Sequence, residues 1–192
     1  ALYGVQAWGP ADAVALLAAL TPRLAALKEH VTGRHVGMAL YGARLCEESP
    51  ALRRFLTAVA EQLERCPEPL GSQSIGNALY SLQRCPHCKE VRAVLAALAP
   101  KVVACKEVLR PQEVGNALYG LQRCRDCPEL RLLLAALAHQ IARGEEALSA
   151  QELSNALYGL QSAGNGPEVR AVLRALAPRV RTCSEELNSQ NI

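Results

Sequence analysis

Aromatic side chains are scarce in this chain: one Trp, one Phe and five Tyr among 192 residues. The core therefore cannot rest on large rings. Ala, Leu and Val supply most of the 50% apolar content, which suits close packing of helices. Long hydrophobic runs are also missing, and stretches such as Val14–Leu20 are too short to span a bilayer. Neither sign of charge dominates. Lys and Arg number 21 against 18 Asp and Glu, a net +3 that falls short of the basic footprint of an obligate nucleic-acid binder. No Ser-His-Asp order, phosphate loop or paired carboxylates can be assembled into a pocket. His30, His35, His87 and His139 share no common pattern. Catalysis is not expected, nor a cofactor, a resident metal or a small-molecule substrate.

What the chain has in abundance is repetition. Ala-Leu-Tyr begins at Ala1, Ala39, Ala78, Ala117 and Ala156, so all five tyrosines (Tyr3, Tyr41, Tyr80, Tyr119, Tyr158) fall at one place in a period of 38 to 39 residues. Longer strings return as well: residues 113–122 recur at 152–161 with Leu153 and Ser154 in place of Val114 and Gly115, and 90–100 recur at 168–178 with Arg174 in place of Ala96. A period of this length marks units that bury their apolar faces only against one another. The chain is read as one domain, 1–192, made of units 1–38, 39–77, 78–116, 117–155 and 156–192. Its ends fall inside the repeat phrase, and a longer array is expected around it.

Each unit reads as two helices. Ser149-Ala150-Gln151-Glu152 is a capping box that opens a helix expected to reach about Ser162. Pro111 suits the first helical position of the equivalent helix one unit earlier. On that helix Val114, Ala117, Leu118 and Leu121 make the apolar face, Gly115 and Gly120 lie on its flanks, and Gln112, Asn116, Tyr119 and Arg123 form a stripe opposite. Small flanking residues would let neighbouring units approach. The second helix opens at Pro128-Glu129 and Pro167-Glu168, with a carboxylate where the macrodipole favours it. Pro22, Pro100 and Pro178 share one position inside this helix, which predicts a bend there or a short third helix. The expected fold is all-α, a right-handed α-solenoid (superhelix) of five helical hairpins.

The string Gln-Glu-Leu-Ser-Asn-Ala-Leu-Tyr-Gly-Leu at 151–160, followed by a turn and Pro167-Glu168-Val169, resembles the octotricopeptide repeat. The likeness runs through all five units and is loosest in the first, where Met38 stands for Asn. Tyr replaces the Trp of that family's first helix, and Val169 and Leu130 replace its second Trp. The resemblance implies organellar proteins of the chloroplast or mitochondrion. Some bind RNA in its processing, stability or translation; others are structural parts of large assemblies.

A partner-binding stripe is expected at Gln73, Asn77, Tyr80 and Arg84, at Gln112, Asn116, Tyr119 and Arg123, and at Gln151, Asn155 and Tyr158. Amides can read base edges or a partner's backbone, and rings can stack on bases. The competing reading has Asn and Tyr bridging adjacent helices. Gln and Asn are constant through three units, whereas a reader of mixed RNA sequence must vary them. Arg53, Arg92, Arg131 and Arg170 form a second ladder, suited to phosphates or to local acids. Cysteines start the inter-helix turn (Cys46, Cys85, Cys124), end it (Cys88, Cys127), or lie late in the second helix (Cys66, Cys105, Cys183). The resulting C-x-x-C pairs, Cys85/Cys88 and Cys124/Cys127, leave thiols, disulfides and zinc open, with plain apolar packing favoured. The expectation for function is a non-catalytic scaffold that docks on protein subunits of a large organellar assembly, with organellar RNA binding as the alternative.

Overall fold

The computed structural model describes residues 10–28, 31–43, 48–183 and 185. Tyr3, His30, Cys46 and both chain ends lie outside the described residues. Among the described residues the protein is all-α, with nine helices and no strand: α1 (Pro10–Ala25), α2 (Gly33–Ala43), α3 (Pro50–Arg65), α4 (Ser72–Tyr80), α5 (Lys89–Ala104), α6 (Pro111–Tyr119), α7 (Pro128–Ala142), α8 (Ala150–Gly159) and α9 (Pro167–Arg181). None is long and apolar enough to cross a membrane.

Local sequence sets where these helices start. Pro occupies the first turn of α3, α6, α7 and α9, where its missing N–H is no loss. Before α8, the Ser149 N–H donates to Glu152 Oε2 at 2.8 Å and Ser149 Oγ accepts from the Glu152 N–H at 3.3 Å, the reciprocal box read from the sequence. The ends of the short helices differ from expectation. The α-helix expected to run to about Ser162 stops at Gly159, and i→i+3 bonds such as Ala163 N–H to Leu160 C=O at 3.0 Å carry the chain onward. Tighter turns of this kind use up the last orphan carbonyls.

Of the two alternatives raised by the inner prolines, the short third helix is not found among the described residues. α1, α5 and α9 pass through Pro22, Pro100 and Pro178 as single helices. All three prolines are exposed, and so is Ala96, whose carbonyl Pro100 leaves without its donor. Water can take the vacant bond, while Leu98 and Val102 (both fully buried) hold the helix down on either side.

Helices pack on the neighbours two places away in order: α1 on α3, α3 on α5, α5 on α7 and α7 on α9; likewise α2 on α4, α4 on α6 and α6 on α8. Two layers result, the short even helices and the longer odd ones. Their inward side chains, including Phe55, Leu79, Leu98, Val114, Leu118, Leu121 and Leu137, join in one contiguous core. Val114, Ala117, Leu118 and Leu121 are all fully buried, as the amphipathic pattern of α6 requires.

Candidate functional site: a tyrosine and amide face

The even layer is held at backbone distance by glycine. A Cβ on Gly120 would fall 1.9 Å from the Leu79 carbonyl oxygen, and one on Gly159 would fall 1.9 Å from that of Leu118. On the other flank, Cβ atoms at Gly76 and Gly115 would lie 3.2 Å from the backbone of Glu113 and Glu152. Gly120 and Gly159 thus leave no room for a Cβ at the close approach the even helices now make, whereas Gly76 and Gly115 would need their neighbours to give by a few tenths of an ångström.

That approach brings the tyrosines together. Tyr41, Tyr80, Tyr119 and Tyr158 stack in a continuous row, with ring centroids 6.4, 5.9 and 5.9 Å apart and planes inclined by 25° to 27°. The widest gap, between Tyr41 and Tyr80, is the step where Ser81 takes the place of Gly120 and Gly159. Slipping a base between two rings requires about 7 Å, twice a ~3.5 Å contact separation. The interior faces of the row are therefore shut, and the last ring, Tyr158, is 52% exposed.

Beside the rings lie the amides. Gln73, Gln112 and Gln151 are exposed one turn before Asn77, Asn116 and Asn155, which are half-buried. No side-chain hydrogen bond among the described residues engages these six carboxamides. Of the Asn and Tyr that the competing reading has bridging helices, tyrosine does so by stacking on its own kind, and the Asn carboxamides do not by hydrogen bonds. Arg84 and Arg123 stand exposed at the end of the stripe, and Arg123 Nη1 donates to the Arg84 carbonyl at 3.3 Å. Of the eleven predicted stripe residues, the structure brings Tyr80, Tyr119 and Tyr158 into the row and Asn77, Tyr80, Gln112 and Asn116 into one groove. Met38 and Tyr41 also line this groove, which is shallow and about 350 Å³ in volume. Met38 and Tyr41 were not in the expected stripe, although their columns in the 39-residue period point to them.

The arginine ladder pairs with acids and carbonyls. Arg53 binds Glu48, Arg131 binds Asp126 at 2.6 Å, and Arg170 donates to the Asn165 carbonyl at 3.1 Å, all within their own turns. Arg92 reaches instead into the next unit and holds Glu129 at 2.8 Å. Five residues upstream, Glu48 and Asp126 give Arg53 and Arg131 a local carboxylate, which His87 does not give Arg92. The Arg92 guanidinium holds the Glu129 carboxyl down at about 2, helped by backbone N–H donation at the start of α7.

Two further cross-unit devices went unread in the sequence. Glu107 accepts from the Ser72 N–H at 2.7 Å and its hydroxyl at 2.8 Å, and Glu185 accepts from the Ala150 N–H at 2.8 Å. A carboxylate of one unit thus caps a short helix of the unit before, and the Ser72 bonds hold Glu107 below the usual carboxylate range. Late in the odd helices, Gln62 donates to Leu24 C=O at 3.0 Å, Gln140 to Val102 C=O at 2.9 Å, and Arg179 to Gly144 C=O at 3.2 Å; Lys101 reaches the Cys66 carbonyl. These residues satisfy carbonyls at the end of the preceding odd helix or in the loop after it. Both sets recur every 39 residues (Glu68, Glu107, Glu146, Glu185; Gln62, Lys101, Gln140, Arg179).

Cys66, Cys88, Cys105, Cys124, Cys127 and Cys183 are free thiols, and Cys66, Cys85, Cys105, Cys124 and Cys127 are buried. Burial first, and then the neighbouring Cys127, Cys85 and Cys88, push the Cys124 thiol up to about 12. Burial also raises Cys88, Cys105 and Cys127. Thiol exchange needs thiolates, so these environments oppose the redox chemistry that the C-x-x-C spacing suggests. Among the described residues no three His, Cys, Asp or Glu side chains gather where they could hold a metal ion. His87 Nδ1 accepts from the Arg125 N–H at 3.2 Å and so ties one turn to the next.

No family model, no curated protein and no solved structure matches this chain.

Proposed function

We propose that the chain is a non-catalytic α-solenoid scaffold of five helical-hairpin units that docks on protein through its tyrosine and amide face. The setting is a large assembly, of chloroplast or mitochondrion if the octotricopeptide-like strings are followed. The observation that carries this reading is the closed tyrosine row, whose rings stack on each other at 5.9 to 6.4 Å and leave no interior face for a base. Charge supports it. Arg53, Arg92 and Arg131 are engaged by carboxylates, and the face itself offers mainly neutral amides and phenols. A phosphate backbone is held chiefly by cations, and its binding falls steeply as salt rises.

Fluorescence anisotropy with labelled single-stranded RNAs of different sequence tests the proposal. The expected result is sequence-indifferent binding, roughly micromolar or poorer at physiological salt, in the non-specific range. A nanomolar, sequence-selective complex lost in Gln112→Ala/Asn116→Ala would make the stripe an RNA reader and sink the scaffold reading.

A further inference from the structure

We infer that the tyrosine and amide face receives an extended polypeptide segment of low charge, laid across the units with one dipeptide to each. This rests on protein being the partner. Three observations lead to it.

The first is chemical fit. A carboxamide carries a carbonyl acceptor beside N–H donors, which complements the one donor and one acceptor of each peptide unit. Asn77, Asn116 and Asn155 are held half-buried in register, with their carboxamides engaged by no side-chain hydrogen bond among the described residues.

The second is spacing. The tyrosine row advances 5.9 to 6.4 Å per unit. An extended chain repeats every two residues, or about 6.4–6.8 Å. A strand laid along the row would meet each unit with the same backbone edge and send alternate side chains into the groove.

The third is uniformity. Gln and Asn do not change from α4 to α6 to α8. An invariant reader suits a ligand whose own repeating element is invariant, and the peptide backbone is such an element. Over α2 the pattern changes: Met38, 40% exposed, replaces Asn, and Arg34 replaces Gln. The segment's residues there should be an apolar one beside an acidic one.

Random peptides displayed on phage, each about eight residues long to match two per unit over four units, are to be selected against the whole chain. Retained sequences should bind the wild type and weaken about tenfold or more in Asn77→Ala/Asn116→Ala, the loss expected for two hydrogen-bonding side chains. Asn116→Asp keeps the shape and removes the donors, so it should weaken the same peptides; far-UV circular dichroism checks that each variant folds. N-methylation of alternate backbone amides should abolish binding in one register and spare it in the other. Failure to retain any peptide, or binding indifferent to both the Asn variants and the methylation register, overturns the inference. A peptide that ignores the Asn pair and depends on another surface removes the extended-segment inference while leaving protein docking intact. Tight RNA binding lost with the same Asn pair removes both.

Discussion

The two layers of the molecule hold their units together by different means. In the even layer the contact is backbone on backbone: Gly120 and Gly159 admit no side-chain atom, and the tyrosines close at the same spacing above them. In the odd layer the units are joined by reach. Gln140 crosses to Val102 and Cys105, and Arg92 crosses to Glu129. Backbone contact leaves no room for a Cβ at Gly120 and Gly159, the step that carries Ser81 is the widest, and the contact is indifferent to pH. Side-chain reach tolerates variation, as Gln, Lys, Gln and Arg at one position show, and it responds to charge. The tighter layer carries the candidate surface, so the face most exposed to a partner is also the one least free to change its spacing.

Enlarging the even layer is the strongest way to break this contrast. Gly120→Ala sets a Cβ against the Leu79 carbonyl and should destabilise the fold by about 3 kcal/mol, the upper part of the usual range for overpacking. Denaturant unfolding measures it; a loss below about 1 kcal/mol would show that the layers part easily. In the odd layer, Gln140→Leu removes a side chain that is 1% exposed, with its hydrogen bonds to the Val102 and Cys105 carbonyls and the one it accepts from Arg143. The expected loss is about 2 kcal/mol, from the buried hydrogen bonds removed. If Gln140→Leu proves the more damaging of the two, the ranking of the layers is reversed.

Smaller effects sharpen the comparison. The depressed Glu129 carboxyl contributes stability that is fully present above its unfolded value near 4.3 and is lost as pH falls toward about 2. Arg92 is 42% exposed, so the effect is small and weakens with salt. Thermal unfolding of Glu129→Gln against wild type should show a difference at pH 6 that vanishes by about pH 2; an unchanged difference would mean the pair does not join the units. Smallest of all, Ser81→Gly should draw the Tyr41–Tyr80 gap of 6.4 Å toward the 5.9 Å of the other two steps. A crystal structure of the variant with the gap unchanged would separate ring spacing from the residue at position 81.

Much of this architecture was legible because it is written locally. The capping box at Ser149, the prolines at helix starts and the buried stripe of α6 each depend on residues a few places apart. The flanking glycines were readable too, since small residues have little other reason to recur there. Contacts between units were not. Glu107 and Gln140 recur every 39 residues, but a periodic polar side chain reads equally well as a solvated face until the offset between neighbouring units is known. The prolines in α1, α5 and α9 left a third helix open for a related reason: the damage of a lost hydrogen bond depends on whether water can replace it, and exposure is a tertiary property. On the candidate site the sequence pointed to the tyrosine column and to the amides Asn77, Gln112 and Asn116 that line the groove beside it. It could not show that the rings stack on one another, which turns an apparent set of base platforms into a closed row.

Four phenols locked in one row also make the protein its own reporter. Chromophores held in a fixed, asymmetric array give near-ultraviolet circular dichroism that disappears when tertiary packing loosens, even while helical far-ultraviolet signal persists. Because the row spans α2 to α8, its spectrum tracks the register of the units rather than the content of helix. A ligand that wedges the units apart, or a substitution that swells one of them, will be visible in that band with no label attached.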